Sequence, residues 1–275
     1  MKSILITGCS SGIGLDAART LKAAGWRVFA ACRQQGDCDR LIAEGFDSPR
    51  LDYTDTASID TALAQVLEAT GGTLDALFNN GAHPLSALVE DLPTDGLRAI
   101  FEANFFGWHD LTRRVIPVMR AQGHGHIVQC SSALGVTYMR WRGAYAATKH
   151  ALEALTDTLR LELRGSGIKV VMIEPGPIRT EFRRNGIPWF ERFIDWQASP
   201  QRARYETGLI PRLYAENPPP DRFELQPDAV SAKLLRALGT DNPAPRYRVT
   251  TVTWIAAILM RILPTRAADR ILDRI

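Results

Sequence analysis

A tyrosine and a lysine stand four residues apart in the stretch GAYAATKHALEAL, Gly143–Leu155. On a helix, Tyr145 and Lys149 would project from one face about one turn apart. A free phenol titrates near 10, too high to serve as a base at neutral pH, and an ammonium group nearby favours the phenolate and lowers that value. Such a pair can handle a proton. Helices also carry such pairs by chance, so its meaning depends on what the rest of the chain brings to that face.

A second chemical signal lies near the start, in TGCSSGIG (Thr7–Gly14), at a strand-to-helix turn. Gly8 allows a tight turn, Gly12 lets a phosphate approach the backbone, and Gly14 permits close helix–sheet packing. The amides around Ser10 and Ile13, at the start of the following helix, favour an anion, and the Ser11 hydroxyl can add to the same region. A plain loop is the alternative, but a strand before and a helix after are the context a phosphate cradle needs. A site for NAD usually supplies an acid about 20 residues beyond the glycines. Here Cys32 and Arg33 stand in that place, with no carboxylate until Asp37. A guanidinium suits a 2′-phosphate, so the expected cofactor is NADP(H), against the alternative of a solvated loop arginine.

The elements that must position these residues can be read from the pattern of apolar runs. Ser3–Thr7, Arg27–Cys32, Leu74–Asn79, His126–Ser131 and Lys169–Glu174 read as buried strands, with a short further one around Leu51. Ile13–Ala24, Thr56–Ala69, Thr94–Ala121 and Ala144–Arg164 carry helical periodicity between them. This alternation predicts a parallel sheet with helices on both faces in an α/β fold, and no linker divides residues 1–275 into separate domains. In such sheets ligands bind beyond the carboxyl ends of the strands, where the glycine turn, Asn80, Ser132 and the Pro175–Gly176 corner all fall.

The totals agree with one large domain. The chain has 275 residues, 45% hydrophobic and 23% charged, and a net charge of +3 too mild for a nucleic-acid surface. Cys9, Cys32, Cys38 and Cys130 follow no metal-ligand spacing and read as reduced thiols of a cytoplasmic protein. The first strand begins too early for a signal peptide. The histidines of GHGHI (Gly123–Ile127) read as a turn, so no metal is expected. Val249–Leu263 is interrupted by Arg261 and is too short to cross a bilayer. After Pro264 an amphipathic helix carries Arg266, Arg270 and Arg274, so the C-terminal extension 250–275 suits an anionic membrane surface, the core or a subunit contact.

Taken together, these motifs resemble those of the short-chain dehydrogenase/reductase family, from Ser3 to about Arg184. TGCSSGIG matches TGxxxGxG, YAATK matches YxxxK, EPGPIRT matches the PG motif, and NNGA (Asn79–Ala82) stands for NNAG with its last two residues exchanged. The resemblance implies a three-layer Rossmann fold of about seven parallel strands. It casts Tyr145 as proton donor or acceptor, Ser132 (over its neighbour Ser131) as hydrogen-bond donor to the substrate carbonyl, and Lys149 as the group that lowers the phenol pKa and binds the nicotinamide ribose. Asn104 in EANFFG would hold a water linking Lys149 to solvent, or else is an interior amide at a kink. Asp52 would accept from the adenine amino group, Asn80 and Gly81 would let the cofactor approach, Gly176 after Pro175 would clear space for the nicotinamide, and Ile178 and Thr180 would contact its carboxamide.

The implied activity is interconversion of aldehydes or ketones with alcohols, in a subgroup akin to bacterial NADP-dependent aldehyde reductases and to steroid and retinol dehydrogenases. The aromatic insertion at 179–227, with Trp189, Phe190, Phe193, Trp196 and Tyr205, is expected to form a mobile lid over a hydrophobic substrate, bordered by Met139 and Trp141. The two long helices imply a homodimer or homotetramer. The alternatives are a membrane-surface steroid or retinol dehydrogenase and, in another class, a non-catalytic NADP-binding sensor or scaffold.

Overall fold

The computed structural model describes residues 1–217 and 219–273; Arg274 lies outside them. Six parallel strands form one sheet: β1 (Ser3–Thr7), β2 (Arg27–Ala31), β3 (Ala76–Asn79), β4 (Gly125–Cys130), β5 (Ile168–Glu174) and β6 (Arg246–Arg248), in the order β2-β1-β3-β4-β5-β6. The order reverses at β1, which leaves a crevice between the carboxyl ends of β1 and β3.

Helices cover both faces, so β1 to β5 are mainly apolar rather than alternating and are buried over most of their length. The helices are α1 (Gly12–Ala23), α2 (Gln35–Ala43), α3 (Thr56–Thr70), α4 (Thr94–Phe101), α5 (Gly107–Gln122), α6 (Gly143–Glu162), α7 (Ile187–Phe193), α8 (Arg202–Arg204), α9 (Ile210–Leu213), α10 (Asp228–Leu238), α11 (Thr251–Ile262) and α12 (Thr265–Leu272). β1 divides its side chains between the two layers. Ile4 and Ile6 pack with Ala17 and Leu21 of α1 and Val230 and Leu234 of α10. Leu5 packs on the opposite face with Ile59 and Ala62 of α3 and Leu111 and Val115 of α5.

Three expectations are corrected. The segment around Leu51 is not a strand: Arg50 makes only an isolated bridge to Cys32, so the sheet has six strands and Ser132 follows the fourth of them. β6 was not expected; its two arginines reach buried Glu174, at 2.9 Å from Arg246 and 3.0 Å from Arg248. The helix expected over Thr94–Ala121 is interrupted by a π-helical turn at Glu102–Phe106. That extra residue of winding turns Asn104 inward, where its amide bonds the backbone of His83 in both directions, at 3.1 and 2.8 Å.

The 179–227 segment is anchored at its aromatic end. Phe190 and Tyr205 are fully buried, the Tyr205 hydroxyl donates to Asp91 at 2.9 Å, and Ser199 donates to the same carboxylate oxygen at 2.9 Å.

The ends of β1 and β3 are tied by one phenol. The Tyr53 hydroxyl donates to Asn79 Oδ1 at 2.6 Å and lies 2.7 Å from Thr7 Oγ1. Tyr53→Phe leaves Asn79 Oδ1 without its donor in a buried setting and is expected to lower unfolding stability by about 1–3 kcal/mol. A urea midpoint equal to that of the parent protein would contradict this role.

Candidate active site

The glycine turn after β1 is built by close approach to the turn after β3. Gly8 has φ +70°, and a Cβ there would stand 2.5 Å from the Cα of Gly81. The exchanged order in NNGA therefore puts a residue without a side chain where the two turns meet. Thr7 Oγ1 accepts from the amides of Asn80 and Gly81, and Asn80 Nδ2 donates to the Thr7 carbonyl at 3.0 Å. Asn80 is thus a brace between the turns. Gly14 packs against the Gly8 carbonyl, and Gly12, with φ +56°, against the Thr180 methyl. Thr180 so closes over the turn from the far side, held through its hydroxyl to the Phe182 amide and the Ile178 carbonyl.

The start of α1 suits an anion. Ser11, its first flanking residue, makes no side-chain capping bond, and no acidic residue stands in the first turn. The amides there, from Ser11 through Ile13, are left to a ligand such as a dinucleotide pyrophosphate, with the positive end of the helix dipole behind them. Exposed Arg33 makes no hydrogen bond or ion pair among the described residues. Arg40 was not anticipated: from α2 it donates to the Ser10 carbonyl at 2.8 Å and braces the turn. One carboxylate oxygen of Asp52 is taken by the amide and hydroxyl of Thr54.

At the end of β4, Tyr145, Lys149 and Ser132 come together. Tyr145 and Lys149 share the buried face of α6, and the Lys149 ammonium donates to the Cys130 carbonyl at 2.8 Å. It also lies 4.0 Å above the Trp108 ring and 5.6 Å from the centre of the Tyr145 ring. Trp108, which no motif singled out, donates from Nε1 to the Gly81 carbonyl at 2.8 Å and so joins the lysine's pocket to the cofactor turn. Ser132 and Ser131 diverge as strand alternation requires. The Ser132 hydroxyl lies on the Tyr145 side and acts to lower the phenol pKa, while the Ser131 hydroxyl is buried on the Glu153 side.

Burial pushes the Tyr145 phenol well above its usual value, and Lys149 is not among the groups that offset this. The ammonium is turned to a carbonyl and an indole face instead of the phenol oxygen. Gly176 does avoid a clash, but with the cap of α11: a Cβ there would stand 2.0 Å from Thr250 Oγ1. Pro175, beside it, accepts through its carbonyl from the Ala133 amide at 2.7 Å. The Asn104 amide has both ends on His83, the geometry of an interior amide at a kink. Around the phenol stand Phe182, edge-on at 5.2 Å, and a stack of His83 on Trp189 at 3.8 Å.

A family model described as short chain dehydrogenase matches residues 2–189. The chain belongs to that family. Over 272 residues it is 42% identical to the uncharacterized oxidoreductase YbbO of Escherichia coli (strain K12), covering 99% of this chain and 94% of that protein. It is 29% identical over 279 residues to the NADPH-dependent 3-dehydrocapnine reductase of Ornithobacterium rhinotracheale, covering 98% and 96%. The crystal structure of a short-chain dehydrogenase from Streptomyces avermitilis superposes with a TM-score of 0.78 at 30% identity, covering 99% of this chain and 97% of that one.

The lysine of this short-chain dehydrogenase has a measurable signature. Burial holds Lys149 down at about 8, below the usual lysine value of 10.5. Between those values the unfolded chain binds the proton that the folded one has released, so stability rises with pH across that window. Lys149→Met is expected to remove this component of the slope; an unchanged slope in urea titrations of the unliganded protein from pH 7.5 to 10.5 would refute it.

Proposed function

We propose that this oxidoreductase is an NADP(H)-dependent carbonyl reductase that converts hydrophobic aldehydes or ketones to alcohols. The observation that carries the reading is the meeting of Tyr145, Ser132 and Lys149 at the end of β4, one indole away from the glycine turn. When bound, NADPH supplies the hydride. The phenol of Tyr145 gives its proton to the carbonyl oxygen, and the Ser132 hydroxyl donates a hydrogen bond to the same atom. Lys149 would hold the nicotinamide ribose and keep a positive charge in the same pocket, 5.6 Å from the centre of the Tyr145 ring. Burial that makes the phenol keep its proton at neutral pH supports reduction over oxidation, since the reverse reaction needs the phenolate.

Arg33, exposed and without a partner among the described residues, supports the 2′-phosphate of NADP(H). A relative that carries NADPH dependence in its name points the same way. Phe182, Trp141 and the His83–Trp189 stack offer an apolar wall around the phenol, which supports a hydrophobic substrate. Exposed Phe106, Leu155 and Leu161 near or on the long helices support a homo-oligomer.

Tyr145→Phe is expected to lower reduction of a panel of aliphatic and aromatic aldehydes by about 10²–10⁴-fold while NADPH still binds. Retained turnover would overturn the proton assignment, and absence of turnover in the parent protein with every carbonyl offered would favour a nucleotide-binding scaffold. Arg33→Ala is expected to weaken NADPH about tenfold or more and NADH little. Equal losses in fluorescence titrations would remove the 2′-phosphate contact.

A second reading concerns where the reaction occurs. α11 buries its small residues Thr253 and Ala257 and turns Trp254, Ile255, Ile258 and Ile262 outward, with exposed Arg261, Arg266 and Arg270 nearby. No helix among the described residues is long and apolar enough to cross a membrane. This face fits the surface of an anionic bilayer, apolar side chains at the acyl boundary and arginines at the headgroups. Sedimentation with phosphatidylserine-containing vesicles, but not with pure phosphatidylcholine, is expected and should be lost in Ile258→Asp. If Ile258→Asp instead splits an oligomer and vesicles bind neither protein, the face is a contact between copies of the chain.

A further inference from the structure

The mechanism leaves unused a buried carboxylate one helical turn beyond the active-site lysine. Glu153 is on α6 at the position i+4 from Lys149, and both side chains are buried. Its Oε2 is held by Arg246 of β6 at 3.0 Å. Its Oε1 has no hydrogen-bond partner, and neither has the buried Ser131 hydroxyl. These two orphan atoms flank one point: a Cβ on Gly135 would lie 2.5 Å from Ser131 Oγ and 3.0 Å from Glu153 Oε1. Gly135 leaves the room in which they face each other. A carboxylate is costly to bury, and a half-free one needs a reason.

We propose that Glu153 is a positioning residue for Lys149: its carboxylate, fixed by Arg246 and facing the Ser131 hydroxyl across the space beside Gly135, provides the buried negative charge that keeps the lysine in its ammonium form. The inference rests on the reading of Lys149 as part of the reductase site. The surroundings of both groups fit it. Lys149 is faced by the Cys130 carbonyl and thiol from β4, the Trp108 ring from α5 and Tyr145 on its own helix, none of them an anion at neutral pH. Glu153 is faced by Arg246 from β6, Ser131 from the turn after β4, Asp157 on α6 and Glu174 from β5, itself bound by Arg248. Asp157 shares Arg246 and also pairs with Arg160, so Arg246 would keep a carboxylate partner without Glu153. Burial drives Lys149 down, and Cys130 and then the charge of Glu153 act to raise it. Burial also raises Glu153, against which the Ser131 hydroxyl and Arg246 favour its ionised form.

Glu153→Gln keeps the shape and removes the charge. Lys149 should then lose its proton at lower pH, by roughly one unit for a charge one helical turn away in a partly screened site. Two readouts follow. The alkaline limb of kcat/KM for NADPH-dependent aldehyde reduction should move down by that amount. In the unliganded protein the rise of stability with pH should also begin about one unit earlier, and this measurement needs no activity. Asp157→Asn, which removes the other carboxylate from Arg246, should move neither. A shift in Glu153→Gln alone supports the proposal; no shift, or equal shifts in both variants, overturns it. Should Glu153→Gln fail to fold, Ser131→Ala decides. Loss of that hydroxyl disfavours the ionised carboxylate, so both curves should move down by a smaller amount, and unmoved curves overturn the proposal. If the stability curve moves but no carbonyl is reduced, the charge coupling stands and the reductase reading fails.

Discussion

An ammonium group buried beside a parallel sheet must be held by something, and Lys149 is held by very little: one carbonyl and one indole face. Much of the site's architecture can be traced from that constraint. The carbonyl is that of Cys130, at the last residue of β4, so the lysine is registered to the sheet itself. The indole is Trp108, which enters from α5 only because the π-helical turn before it resets the phase of that helix. Trp108 in turn donates to Gly81, and Gly81 lies against Gly8. A displacement of either glycine turn would therefore be felt at the lysine through a single side chain.

Desolvation acts on the two proton-handling groups in opposite directions on the pKa scale but toward one end, disfavouring charge on each. A phenol and a lysine moved closer together would compensate each other by ion pairing. Here they are kept apart, with the ammonium committed to Cys130. The phenol then remains an acid, and the lysine's charge depends on its wider surroundings.

The five buried strands were legible because a sheet covered on both faces selects unbroken apolar runs, and the glycine turn because its spacing follows from steric need. What escaped was decided by contacts between segments distant in sequence. β6 has only three residues, two of them charged, and reads as a strand only once Glu174 is known to wait for its arginines. The π-helical turn leaves no mark in a stretch whose apolar periodicity continues through Phe101, Phe105 and Trp108; the demand comes from His83, whose backbone Asn104 must reach. Cys32 and Arg50 do bridge around the expected extra strand, but the chain turns away after a single pair. The raised phenol was hidden for the same reason: the four-residue spacing shows that Tyr145 and Lys149 share a face, not how much of the protein covers it.

The family match ends at residue 189, and the boundary has a physical counterpart. Before it lie the glycine turn, Ser132, Tyr145, Lys149 and the PG corner, the motifs by which the chain resembles its family. After it lie the parts that close and shape the site. Tyr205 anchors the aromatic segment on Asp91, Thr250 and Thr253 fill the space beside Gly176, Arg246 and Arg248 neutralise Glu174, and Arg246 also reaches Glu153. The C-terminal third is thus not an appendage. It supplies the arginines that hold Glu153 and Glu174 and the tyrosine that ties the aromatic segment to Asp91.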